Sequence, residues 1–191
     1  MRHSLSIAAI TLGLAFAGAA QAQSTTDTRS VTVNGTVAQV CVLGAPAPTS
    51  INLGQMAATS GTRTGKLGAI ADQSVSLPAT FCNYGGTQIT VVATALIEGN
   101  DEATPPSGFS KAVNFTANVS GWTPTAASVT TTAASDGSNA TTTSGGPEQA
   151  QPNSTSLTLT LTNFSAPGDS ILVAGGYNGL VTITLGPDGG H

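Results

Sequence analysis

Apolar side chains return at every second position along this chain, and beyond residue 22 they never settle into the three-and-four spacing of an amphipathic helix. Period two is the repeat of a strand with one buried face. "RSVTVNGTVAQVC" places Val31, Val33, Val37 and Cys41 on one parity, and "TSINLG" places Ile51 with Leu53. "QSVSLPATFC" sets Val75, Leu77, Ala79 and Phe81 against Ser74, Ser76, Thr80 and Cys82. "TQITVVATALI" alternates Ile89, Val91, Ala93 and Ala95, with Val92 and Leu96 on its second face. "AVNFTANV" gives Val113, Phe115, Ala117 and Val119, and "SLTLTLTNF" gives Leu157, Leu159 and Leu161. The last such stretch, "GGYNGLVTITLGP", carries Tyr177, Val181, Ile183 and Leu185. Short strands of this kind, divided by Gly, Pro and Asn, predict an all-β antiparallel sandwich of six to eight strands. Pro78 has no N–H to give to a ladder, so its strand is expected to lie at an edge or to bulge there.

Residues 123–156 have almost no apolar periodicity. They read either as a polar hairpin turning at Asp136-Gly137, a dipeptide suited to a type I′ turn, or as a long surface loop. On either reading they add little to the core.

The first residues, "MRHSLSIAAITLGLAFAGAAQAQ", have the layout of a secretory signal: Arg2, an apolar run from Leu5 to Gly18, and the cleavage pattern Ala20-Gln21-Ala22. The run is shorter than the roughly 20 residues needed to span a bilayer. We therefore expect residues 1–22 to be removed and the mature chain to start at Gln23, exported through the inner membrane with no membrane insertion of its own. An oxidising compartment changes the reading of the two cysteines. Cys41 and Cys82, an even pair in an exported chain, predict one disulfide. It would close a loop of about 42 residues and contribute roughly 4 kcal/mol on the chain-entropy account.

Function classes fall away quickly. Charged residues make up 7% of the chain, and the mature part carries Arg29, Arg63, Lys66 and Lys111 against nine acids. No cluster of cations is present for neutralising phosphates, so nucleic acid is not an expected partner. The two histidines are His3, in the signal, and His191, so a Ser-His or Cys-His site has no base. No His, Cys, Asp or Glu set has zinc spacing, and no glycine pattern fits a phosphate loop. Glu98, Asp101 and Glu102 are the one local acidic group and are expected in a solvated loop between strands. Trp122 is expected in the core or at its rim, since a single Trp and two Tyr offer little to stack a sugar. The expectation is a protein that is not an enzyme and needs no cofactor or metal.

The ordered set "SVTVNGTVAQVCVLG…SINLGQM…SVSLPATFCNYGGTQITVVATAL…AGGYNGLVTITLGP" resembles the subunits of chaperone–usher pili, and most closely their archaic branch, the spore coat protein U-like domain. The resemblance covers residues 30–99 and 171–187, and "PDGGH" runs past the usual end of the closing strand. It implies an immunoglobulin-like sandwich lacking one strand, completed by donor-strand exchange. A periplasmic chaperone lends that strand first, at an outer-membrane usher, and the N-terminal segment of a neighbouring pilus subunit then replaces it. Here the donor would be Gln23 to about Val37, with Val31, Val33 and Val37 as plugs, although its front, "QSTTDTR", is polar. Tyr177, Val181, Ile183 and Leu185 would be the core face of the closing strand, and residues 38–191 the pilin-like domain. The product would be a surface fimbrium serving adhesion or biofilm formation. Two other non-enzymatic readings stay open: a self-complete monomeric secreted sandwich, and a minor or adhesive subunit that exposes residues 123–156.

Overall fold

The computed structural model describes residues 26–99 and 104–187. The expected signal peptide, Gln23 at the front of the candidate donor, Asp101, Glu102 and the tail "DGGH" lie outside the described residues. The chain divides into two units with the boundary between Thr36 and Val37. In the first, residues 26–36 form no strand and are exposed.

The second unit is all-β. Its strands are β1 (Cys41–Val42), β2 (Gln73–Cys82), β3 (Thr87–Glu98), β4 (Phe109–Ser110), β5 (Ala112–Ser120), β6 (Ala127–Thr130), β7 (Thr141–Gly145), β8 (Asn153–Ser165), β9 (Ile171–Leu172) and β10 (Tyr177–Pro187). One layer runs β1-β2-β8-β5-β6 and the other β10-β3-β7, all antiparallel. The start of β5 also pairs with β3, through Leu96↔Val113 and Ile97↔Ala112, which stitches the layers along one side. The order β1-β2-β8-β5 facing β3-β10 is the A-B-E-D and C-F arrangement of an immunoglobulin-like sandwich. Among the described residues no strand takes the G position beside β10.

The core forms where the alternating apolar faces meet. Val75 and Leu77 of β2, Ile89, Val91 and Ala93 of β3, Phe115, Ala117 and Val119 of β5, and Leu157 and Leu159 of β8 make one cluster. Trp122 joins it and donates its indole N–H to Thr87 O at 3.2 Å.

Four expectations are corrected. The parity of β2 does not persist to its end. The β2–β8 register slips between Leu77 and Thr80, with Ala79 at φ 54°, so Thr80 and Cys82 turn inward while Ala79 and Phe81 do not. Pro78 sits in that bulge, where its missing N–H costs no ladder bond. The early strands expected around Val31 to Cys41 and Ile51 to Leu53 shrink to the two residues of β1. Residues 123–156 do supply core. Ala127, Val129, Thr131 and Ala133 alternate inward, all buried, and the chain turns at Ala134–Ser138 around Asp136-Gly137 before crossing from β6 in one layer to β7 in the other. This is a crossover between layers, since β6 pairs with β5 and β7 with β3. Finally, Glu98 is not in a solvated loop: β3 extends to it, it pairs with Tyr177, and it is buried.

Candidate functional site

Residues 43–53, "LGAPAPTSINL", run along one side of the sandwich without joining a ladder except at Ala47, whose N–H and C=O both bond Ser76. Pro46 and Pro48 cannot donate, which ends any continuous strand there. Gly44 crosses the β2 bulge so closely that a Cβ would fall on the Pro78 carbonyl, and its N–H bonds Thr80 Oγ1 at 2.9 Å. Opposite runs β10, bonded to β3 on one edge only. Between the two walls lies a cleft of about 530 Å³. Its floor is Leu77, Phe115, Leu161 and Phe164, and its walls include Leu43 and Ile51 on one side, Val181 and Ile183 on the other. Phe115 and Phe164 are in ring contact, with centroids 6.0 Å apart.

Burial along a single row measures what is missing. Val181, Ile183 and Leu185 pair directly with Ala93, Val91 and Ile89 and share their face. The β3 members are 0–2% exposed, whereas the β10 members are only half-buried. The rows differ in their neighbours: among the described residues β3 is flanked by strands on both sides and β10 on one. Each partly exposed side chain leaves roughly a few tenths of a kcal/mol of apolar transfer unrealised. Thr182 and Thr184 alternate with this row and are exposed, and Thr182 also borders the cleft. A second cavity of about 780 Å³ shares Ile51, Leu53 and Leu96 with the first and extends toward Asn52, Gln55 and Asn178. No charged side chain lines either cavity among the described residues.

Tyr177 anchors the start of β10. Its hydroxyl lies 2.8 Å from Val173 O and 3.2 Å from Ser110 O, donating to the nearer. A Tyr at the start of strand F bonded back to upstream backbone is the tyrosine corner of immunoglobulin-like sandwiches. Burial first, then the negative charge of Glu98, pushes its pKa up to about 12.

At the head of the domain, Cys41 and Cys82 face each other in the β1–β2 ladder and are joined in a disulfide, their Cα atoms 4.1 Å apart. The candidate donor residues are placed differently. Val31, Val33 and Val37 are 87–88% exposed, and no strand is assigned from residue 26 to residue 40. Arg29 pairs there with Asp27 at 2.7 Å. The structure thus brings Val181 and Ile183 to one cleft, packs Leu185 of the same row against the core, and sets the two cysteines at one end of the sandwich, while it buries none of the three candidate donor valines.

Residue patterns alone did not single out Phe164 or Asn83. Phe164 reaches the cleft because β8 breaks step at Asn163, φ 55°, beyond the region where its alternation is regular. Among the described residues no group of three His, Cys, Asp or Glu stands close enough to hold a metal ion, and no helix is long and apolar enough to cross a membrane.

No family model, no curated protein and no solved structure matches this chain.

Proposed function

We propose that this protein is a structural, non-catalytic subunit of a surface pilus or fimbria, assembled by donor-strand complementation. It is exported, held by a periplasmic chaperone, delivered to an outer-membrane usher, and joined head to tail to neighbouring subunits. One observation supports the reading: an apolar cleft bounded by an edge of β10 that has no strand partner among the described residues and by a segment that does not pair with it. An added strand would gain main-chain bonds from that edge and bury the half-exposed row Val181, Ile183, Leu185. An unfilled groove of this kind is an association hazard for an isolated chain, which is the physical reason for a chaperone. The valines at 31, 33 and 37 share one parity and are exposed, as a donor requires. Because such a contact is heterologous and does not close on itself, repetition gives a filament.

A peptide of residues 23–37, added to the isolated mature chain, tests the reading. It should raise the thermal midpoint and shift the methyl resonances of Val181, Ile183 and Leu185, and a peptide with Val31→Asp and Val33→Asp should do neither. The mature chain itself should form oligomer ladders that survive detergent until boiled. A monodisperse, heat-stable monomer indifferent to the peptide is the self-complete sandwich, and would end the pilus reading.

A further inference from the structure

Where the chain enters the body, residues 38–40 belong to no strand, yet Asn83 holds them through its side chain and its backbone N–H. Asn83 Oδ1 accepts from Val40 N–H at 2.7 Å, its Nδ2 donates to Ala38 O at 2.8 Å, and its backbone N–H donates to Val40 O at 3.0 Å. Next to this clamp the disulfide joins Cys41 to Cys82. Beyond it the attachment is thin: two residue pairs in β1, then nothing regular until Ala47 meets Ser76. By contrast, β2 pairs with β8 along most of its length.

We infer that Asn83 and the Cys41–Cys82 bridge form a mechanical tether, which passes tension from the N-terminal segment to residue 82 and keeps it off the cleft. The inference rests on the proposed fibre, in which each subunit would be pulled through that segment. Residues 43–53, one wall of the cleft, lie inside the loop that the disulfide closes. Without the covalent link, a pull on residue 37 would break ties one after another: the Asn83 bonds, the β1 pairs, then Ala47 from Ser76. Bonds loaded in sequence yield at lower force than bonds loaded together, and the wall of the cleft would be stripped before the body unfolds. With the link, tension bypasses residues 42–81 altogether, so a subunit under load keeps its grip on the strand it holds.

Single-molecule stretching of the mature chain between N- and C-terminal handles tests this, since forced unfolding is governed by the barrier along the pulling path. Oxidised protein should show no lengthening before the body unfolds. Reduced protein should show an early, weaker event that frees residues 38–53, roughly 55 Å of chain, and stops short of the stretch held by Lys66↔Ile171 and by the bonds of Arg63 and Lys66 to Asp169. Reduced Asn83→Ala should show that event at still lower force. Asn83→Asp, which keeps the acceptor for Val40 and loses the donor to Ala38, should fall between. The inference is overturned if reduced protein unfolds in one event at the oxidised force, or if reduced Asn83→Ala matches reduced wild type. These traces come from single chains, so they decide the tether whether or not fibres form, and absence of fibres counts only against the assembly reading.

Discussion

Tyr177, partly buried, and Thr131, fully buried, each hold polar groups at the core. Folding keeps the Tyr177 phenol protonated, with its pKa raised to about 12 by burial and by Glu98. An unfolded chain releases that proton near its ordinary value of 10. The phenol's contribution to stability is therefore fully present below pH 10 and is lost as pH rises toward about 12. Denaturation followed across this window should show the midpoint falling for wild type and staying flatter for Tyr177→Phe. Thr131 Oγ1 accepts from Phe115 N–H at 3.0 Å, at a site 1% exposed. Thr131→Val keeps the shape and orphans that amide, so chemical denaturation should register a loss of about 1–3 kcal/mol. The two groups differ in how legible they are in sequence. Tyr177 could be placed by the motif around it, but Thr131 is one of several threonines in a polar run, and only the β5–β6 pairing gives its hydroxyl a duty.

The elements that sequence patterns located well are those with large aliphatic side chains in uninterrupted alternation. In β3, β5 and β8 the rows Ile89–Val91–Ala93, Phe115–Ala117–Val119 and Leu157–Leu159 are buried as their parity requires. β6 was hidden because its buried positions are Ala127 and Val129, continued by Thr131 and Ala133, whose weak hydrophobicity barely differs from that of the outward Ser and Thr. The end of β2 departs from its sequence parity because a bulge shifts parity by one, and a bulge is a backbone event that Pro78 hints at without fixing its length. Half of the candidate site is visible on the same logic: β10 is legible in its own alternation, whereas its empty side is implied only by the family resemblance, since an absent neighbour leaves no residues behind. The parity of β10 makes a prediction at this scale. Ile183→Asp places a carboxylate in the cleft and removes most of a burial contribution that is roughly 1.5–3 kcal/mol when complete, whereas Thr182→Asp replaces an exposed side chain. Export yield and thermal midpoint should collapse for the first and change little for the second. Equal behaviour would mean that the row does not line the cleft.

At the scale of the whole molecule, the sandwich is stitched on one side by β5 against β3 and by the crossover from β6 to β7, and is open on the other, between β10 and residues 43–53. Reduction of Cys41–Cys82 should lower stability by up to about 4 kcal/mol, because the closed loop spans 41 positions, and calorimetry with and without reductant would measure it. Few charges decorate this body, and their placement has a consequence for proteolysis. Trypsin cuts after Lys and Arg in extended, accessible chain. Arg63 and Lys66 are both bonded to Asp169, and Lys111 is buried. Arg29 is 85% exposed in a stretch with no assigned structure. Brief digestion of the free protein should therefore nick the chain after Arg29 and leave the body whole. In an assembled fibre the same bond would lie in or beside a neighbour's groove, and resistance at Arg29, scored by mass spectrometry, would report the fraction of subunits whose segment is engaged.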